Sequence, residues 1–367
     1  MRRQVAIYKM QDIRYRRDDK GFSLVELLIA MVIASVVGIA GVSIFSSSNW
    51  SYKTQEDITE AQQNVRVATD RLAKDIRMAG FGLPDPPFSL TIGTGTFTSP
   101  ITVTNSTIAP DTITILGIGY EAGTLDTTTA IVNCGNGVQA NNSGANCIRL
   151  SAPATDSIDR FFNGAGAFQT TRIHISLGGA RYIQLAAAGH NQANRTLVLG
   201  TPTTLDRSYP DNTPVYIIQA VQYTIANDLT GCSATNPCLA SNDLTELRGS
   251  GRQVLAENIE DIQFAYGIDA SPRDGKMDDA ADGTAGYAST DFLNAPTDAS
   301  SIIAVRATIV GRTRNQDMKG QTGFRSQCFE DRPADAGTTN CTGAGPDGYR
   351  RRTLTKILKI RNPRSGA

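Results

Sequence analysis

The apolar run from Phe22 to Phe45 constrains the fold of this chain more than any other feature. It extends over 24 residues and contains a single charged side chain, Glu26. Because about 20 apolar residues in a helix span a bilayer, the run predicts a transmembrane helix. Residues 1–21, before it, carry seven basic and three acidic side chains, a net charge of +4. Basic segments of this kind tend to stay on the cytoplasmic side of a membrane.

Two ordinary explanations of this run are less satisfactory. A secretory signal peptide has an apolar core of about 7–15 residues, shorter than this run, and a small-residue cleavage site after it. A simple single-pass anchor fits the length but does not account for a carboxylate inside it. Such a charge costs about 2.5–3.5 kcal/mol at the centre of a membrane helix and less near its end. Glu26 is therefore a candidate functional residue.

The junction between the basic segment and the apolar run reads GFSLVE, from Gly21 to Glu26. It resembles the class III signal of type IV prepilins. The resemblance implies that residues 1–21 are a cytoplasmic leader peptide, which the prepilin peptidase removes by cleaving between Gly21 and Phe22. It further implies N-methylation of the new amino terminus on Phe22. Glu26 would form the assembly salt bridge with the amino terminus of a neighbouring subunit.

The residues after the run predict that the helix continues as an amphipathic stem. Apolar side chains recur every three or four positions, which places them on one helix face: Ile58, Ala61, Val65, Ala68, Leu72, Ile76 and Ala79. We predict an unbroken helix of about 55 residues from Phe22, with a transmembrane part at 22–45 and an amphipathic part at 46–80. Gly80, Gly82 and Pro84 predict where it ends.

From residue 84 onward, short alternating runs separated by Gly, Asn, Asp and Pro are typical of antiparallel strands. Strands are predicted at 101–105, 112–116, 172–176, 181–185, 196–200, 214–226, 302–313 and 352–362. Residues 254–269 predict a short helical turn followed by a strand. The predicted fold class is α+β and pilin-like. A long N-terminal helix packs on an antiparallel β-sheet head, residues 84–367, whose loops are closed by disulfides.

Four stretches are similar to the PilW family of minor pilins. They are RLAKDIRMAGFG (71–82), AENIEDIQFAYG (256–267), IIAVRATIVGRT (302–313) and YRRRTLTKILKIRNP (349–363). The resemblance implies a minor pilin that is incorporated into type IV pili or primes their assembly, at or near the tip. Two alternatives stay open. One is a J-type pseudopilin of a type II secretion system, and the other is a membrane-anchored adhesin or enzyme that uses a prepilin signal.

The resemblance also implies partners and a location. The partners would be other minor pilins, the major pilin, the prepilin peptidase and the inner-membrane assembly platform, with the lipid bilayer before assembly. The protein would cross the inner membrane once with its head in the periplasm, and later reside in a pilus on the cell surface. Nucleic acid is not an expected partner, because the formal net charge is zero and no large basic face is evident.

The six cysteines fall into three couples that are close in sequence: Cys134 with Cys147, Cys232 with Cys238, and Cys328 with Cys341. An even number beyond a membrane anchor indicates disulfides in an oxidising compartment. We predict the local pairing within each couple. Zinc is the rival explanation, but the chain contains no C-x-x-C pair and only two histidines.

The sequence predicts neither catalytic residues nor a cofactor. It contains no G-x-S-x-G and no G-x-x-x-x-G-K-[ST] motif. His174 lies in an alternating run and His190 follows Gly189 in a predicted loop. An isolated histidine of this kind is more often structural than catalytic. The chain is therefore predicted not to be an enzyme.

One acidic loop is a candidate calcium site. Asp274, Asp278, Asp279 and Asp282 lie close together in a glycine-containing segment, and calcium takes six to eight oxygen ligands. Their spacing differs from the regular EF-hand pattern. An exposed polar turn is the alternative, and we predict no metal as the default.

Overall fold

The structure is a computed structural model that describes residues 21–84, 88–93, 95–128, 132–151, 161, 173–245, 251–270, 274–278, 291–317, 328–330 and 347–361. Within these ranges the chain forms one α-helix and fourteen β-strands. Contacts between residues group the chain into two units, residues 1–55 and 56–367, and the division falls inside the helix.

The helix, α1, is continuous from Leu24 to Arg77, which confirms the predicted unbroken helix. Ser23 precedes it, and the Ser23 hydroxyl accepts a hydrogen bond from the N–H of Val25 at 3.3 Å. Beyond its last turn, Gly80 and Gly82 adopt positive φ angles of 80° and 78°. Glycine reaches this conformation at little cost, so the two residues end the helix where the sequence predicted.

The strands are, in chain order, β1 Leu90–Ile92, β2 Gly95–Phe97, β3 Ile101–Thr104, β4 Thr112–Thr124, β5 Cys147–Arg149, β6 His174–Leu177, β7 Arg181–Leu185, β8 Thr196–Thr201, β9 Pro214–Ala226, β10 Cys238–Asp243, β11 Gly251–Glu257, β12 Ile259–Ile268, β13 Ile302–Arg312 and β14 Arg351–Lys359. The pairings among these strands are antiparallel.

The strands form a nine-stranded sheet, a three-stranded sheet in the order β12-β13-β14, and the hairpin β1-β2. β9 is the centre of the large sheet. It pairs with β4 along one edge, and with β10 and β6 along the other. The remaining strands extend the sheet outward from these neighbours, with β3 on β4, β11 on β10, and β7, β8 and β5 following β6.

The second half of α1 closes a core shared by both larger sheets. Its buried residues are Ala61, Val65, Ala68, Thr69, Leu72, Ala73 and Ile76. All of them except Ala61 and Thr69 belong to one core cluster with Ile113 of β4, Tyr223 of β9, Phe264 of β12 and Ile309 of β13. This packing confirms the apolar stripe predicted for the stem. β13 passes very close to the helix at Gly311, where a Cβ would lie 2.4 Å from Cγ2 of Val65.

The prediction of a helical turn within 254–269 is wrong, because this segment forms two strands. β11 pairs with β10 in the large sheet, whereas β12 pairs with β13 in the small sheet. Asn258 separates them with a φ of 58°. Asparagine tolerates this left-handed conformation better than most residues, and here it lets the chain pass from one sheet to the other.

Two of the predicted disulfides are present among the described residues. Cys134 is bonded to Cys147, and Cys232 to Cys238. Cys328 is also disulfide-bonded, while Cys341, its predicted partner, lies outside the described residues. The first two bonds close short loops, with sequence separations of 13 and 6 residues. A disulfide stabilises a fold mainly by restricting the unfolded chain.

Candidate functional site: the N-terminal helix

The start of α1 presents the predicted processing site to solvent. Gly21 and Phe22 precede the helix, and the Phe22 residue is 85 % exposed. A Cβ added at Gly21 would meet nothing within 4 Å. Glu26 is also exposed and lies in the first helical turn, where the positive end of the helix dipole favours a carboxylate.

The apolar surface of α1 has no partner within the described residues of its unit. Every large apolar side chain from Leu24 to Phe45 belongs to a residue that is 51–76 % exposed. Soluble monomers rarely expose contiguous apolar patches larger than a few hundred Å², and larger ones mark a membrane or protein interaction site. The helix is long and apolar enough to cross a membrane. We therefore expect lipid or other helices to cover this surface.

Polar contacts fix the second half of α1 to the sheets of its own unit. The Tyr223 hydroxyl of β9 donates to Oδ2 of Asp75, which also pairs with Nε of Arg71 at 3.5 Å. Burial and the adjacent Asp75 carboxylate raise the pKa of Tyr223 well above its usual value, so this hydroxyl stays a donor. Asn315, after β13, donates to both carboxylate oxygens of Asp57 at 3.2 Å. The helix is therefore held at both ends of its buried stretch.

The two histidines make structural contacts. His174 is 3 % exposed, and its Nε2 lies 2.8 Å from the carbonyl oxygen of Thr91. That ring nitrogen must donate, so Nδ1 accepts from the Tyr182 hydroxyl at 2.7 Å. His190 lies with Nε2 2.7 Å from the carbonyl oxygen of Ala186, and its Nδ1 accepts from the N–H of Val198. Both rings are thus engaged within the head.

The stability of the head is expected to fall as the pH drops below about 6.5. Burial lowers the pKa of His174 below its usual 6.5, so the unfolded chain takes up a proton at a higher pH than the folded chain. The neutral His174 side chain contributes its full stabilisation above its pKa in the unfolded chain. This contribution is lost as the pH falls toward its pKa in the folded chain. Urea unfolding of the full chain in detergent, at about pH 7.5 and 5.5, measures this change in the free energy of unfolding. His174→Gln should flatten this pH dependence, and an unchanged slope would contradict the assignment.

The acidic loop is only partly described. Asp274 accepts the N–H of Lys276 at 2.9 Å, and Asp278 accepts the N–H of Ala270 at 2.7 Å. Asp279 and Asp282 lie outside the described residues. No group of three or more potential metal ligands occurs in the ranges that the structure describes.

The Tyr223–Asp75 contact was not predicted from the sequence. Tyr223 looks like any other aromatic residue of an alternating strand, and Asp75 like any charge on the polar side of a helix. The two are 148 positions apart, so no local pattern connects them.

One exposed apolar helix, continued by an amphipathic half that packs on antiparallel sheets, defines an α+β, pilin-like fold. Comparison with known proteins identifies the class more closely. A model of the prokaryotic N-terminal methylation motif matches residues 16–42, a range that includes Gly21, Phe22 and Glu26. A second family model, described as Type IV Pilus-assembly protein W, matches residues 222–362. These two matches indicate that the chain carries a prepilin signal at its N-terminal end and, further along, a region similar to the PilW family.

A curated relative supports this class. The chain is 35 % identical over 82 residues to the pilin-like protein PilA3 of Thermus thermophilus, a match that covers 19 % of this chain. The match spans about 35 % of the length of that relative. No solved structure gives a significant match to this chain. The signal and the apolar helix together indicate membrane anchoring.

Proposed function

We propose that this protein is a minor pilin of the PilW type, which is incorporated into type IV pili or primes their assembly near the tip. Residues 1–21 are the leader, 22–45 the membrane part of the helix, 46–80 the stem and 84–367 the head. The observation that carries the proposal is Glu26. It is the single charge in the exposed apolar part of α1, and it lies within the matched methylation motif.

The proposed mechanism begins with cleavage after Gly21 on the cytoplasmic side. The cut creates a charged amine on Phe22, which is then N-methylated, while the head lies in the periplasm. Phe22 and Glu26 are four residues apart, about one helical turn. A neighbouring subunit displaced along the filament can therefore bring its Glu26 to this amine.

Assembly then exchanges one apolar environment for another. The side chains of 22–45 leave lipid and pack on the helices of other pilins, so little apolar surface meets water at any stage. An unpaired charge inside such a bundle is costly, whereas a paired one is tolerated. The pairing of Glu26 with an amine would therefore select one axial register rather than add much net stability.

The partners of this mechanism are the prepilin peptidase, the inner-membrane assembly platform, other minor pilins and the major pilin. The head is large, since residues 84–367 make up most of the chain. A large head suits a low-copy position near the tip better than repeated packing along a shaft. This role requires no catalytic residue and no cofactor.

A Glu26→Ala variant tests the proposal. We expect it to be cut after Gly21 like the wild-type protein, because Gly21 and Phe22 are unchanged, but to be largely absent from sheared pili. Immunoblots of whole cells and of the sheared fraction measure the two steps separately. Glu56→Ala is the matched control, because Glu56 is an exposed acidic residue of the same helix outside the apolar run. Normal incorporation of the Glu26→Ala protein would contradict the proposed role of this carboxylate.

A further inference from the structure

A groove of about 490 Å³ lies between the last turns of α1 and the faces of β4 and β9, within the unit of residues 56–367. Ile115, Gly117 and Gly119 of β4 form its floor together with Gln219 and Val221 of β9. α1 forms one wall from Asp70 to Met78, and Lys356 and Arg361, in and just beyond β14, complete the lining.

The floor offers some apolar surface, and neighbouring groups approach its two glycines closely. Ile115 and Val221 supply the apolar part. A Cβ at Gly117 would lie 2.7 Å from the carbonyl oxygen of Met78, so this glycine permits the close approach of the chain after α1. A Cβ at Gly119 would collide with the side chain of Gln219, which lies across the strand and donates to Asp243 at 2.8 Å.

The lining is strongly cationic. Five basic side chains face two acidic ones, a net charge of +3: Arg71, Lys74, Arg77, Lys356 and Arg361 against Asp70 and Asp75. Both carboxylates already have partners. Asp75 is bound by Tyr223 and Arg71, and Asp70 pairs with Lys356 at 3.5 Å.

Three cations of the groove have no side-chain hydrogen bond or ion pair with any described residue: Lys74, Arg77 and Arg361. The C-terminal end of a helix favours basic side chains, which accounts for Lys74 and Arg77. This preference does not account for Arg361, which lies just beyond β14. Its backbone N–H donates to the carbonyl oxygen of Arg77, and this bond brings Arg361 to the same groove. The cations therefore converge from two separate elements.

We propose that this groove binds an acidic segment of a neighbouring pilin subunit. Carboxylates of that segment would pair with Lys74, Arg77 and Arg361, and an apolar side chain would lie against Ile115 and Val221. Charge complementarity selects the acidic partner, and the apolar floor favours a polypeptide over a small anion. The inference rests on the proposed function, because it needs the protein to assemble beside other pilins.

Site-specific photo-crosslinking in piliated cells tests this inference. Benzoylphenylalanine replaces Met78, which lines the groove and is partly exposed. We expect an adduct in sheared pili, and mass spectrometry should map its partner to an acidic segment of a pilin subunit. Reversing two charges, with Lys74→Glu and Arg77→Glu, should lower the adduct yield about tenfold or more, since like charges across an interface oppose binding.

Arg66→Glu is the matched control, because Arg66 is an exposed cation of the same helix that does not line the groove. It should leave the adduct yield unchanged. If the reversed pair fails to fold, judged by its thermal unfolding midpoint, the neutral pair Lys74→Gln and Arg77→Gln replaces it. That pair should lower the yield by a smaller factor.

The outcomes separate this inference from the proposed function. A protein that enters pili without forming the adduct, or that crosslinks to a neutral or basic segment, would overturn the inference alone. An adduct yield that does not change when the charges of residues 74 and 77 are changed would also overturn the inference alone. A wild-type protein that is never cut or never found in pili would overturn the proposed function, and the inference with it.

Discussion

A Gly21→Ser variant is expected to remain as the uncut precursor and to be missing from pili. The proposed cleavage site lies between Gly21 and Phe22, at an exposed position outside the helix. Serine adds a polar side chain next to the proposed scissile bond. We expect no steric clash from it, because a Cβ at Gly21 meets nothing within 4 Å. Failure to be cut would therefore reflect recognition by the peptidase rather than misfolding. An immunoblot shows the precursor as the larger band.

The same substitution at Gly38 is the control for this experiment. Gly38 lies within the apolar run, and a Cβ there also meets no atom within 4 Å. Gly38→Ser should be cut as efficiently as the wild-type protein. Normal cleavage of the Gly21→Ser protein would show that the junction is not where the leader is removed.

The second large effect is expected for Leu72→Ala in the stem. The residue is 0 % exposed and lies in the core that joins α1 to both larger sheets. Removing a buried leucine side chain costs about 2–5 kcal/mol, because transfer energy is lost and a cavity remains. We therefore expect the free energy of unfolding of the head to fall by about this amount. Urea unfolding followed by the circular dichroism of the β-sheets measures it.

Val67→Ala is the matched control for Leu72→Ala. Val67 is on the same helix and is 55 % exposed, so its truncation should change the free energy of unfolding by no more than about 0.5 kcal/mol. Equal effects of the two substitutions would contradict the packing of the stem on the sheets.

Local periodicity accounts for most of the fold that could be predicted from the sequence. The helix follows from a continuous apolar run joined to a stripe with helical spacing. The long central strand was predicted at 214–226 and is β9, Pro214–Ala226. Long elements repeat their pattern several times, so their type is clear from the sequence. β4 was predicted at 112–116 but extends to Thr124, because its second half carries glycines and a glutamate that hide the alternation.

Three of the strands that were missed are very short. β1, β2 and β5 have three residues each, too few to establish a period of two. β10, Cys238–Asp243, ends in polar residues and was not predicted either. β11 was hidden within the segment predicted to begin with a helical turn, since the turn of the chain at Asn258 depends on a single backbone conformation. β5 and β10 pair with longer neighbours, β8 and β9, whereas β1 and β2 pair with each other.

The same contrast between local pattern and tertiary packing applies to the two candidate surfaces. Gly21, Phe22 and Glu26 lie within six residues of one another, so the sequence alone brings them together. The cationic groove cannot be predicted in this way, because Lys74 and Arg361 meet only after α1 and β14 have packed in one head. Local motifs therefore identify the proposed assembly site, and the tertiary structure is needed to find a second surface.

The amino terminus of the native protein tests the central claim most directly. Mass spectrometry of the protein isolated from cells should find a mature chain that begins at N-methylated Phe22, with residues 1–21 absent. A chain that still begins at Met1, or one that begins at any residue other than Phe22, would contradict the account.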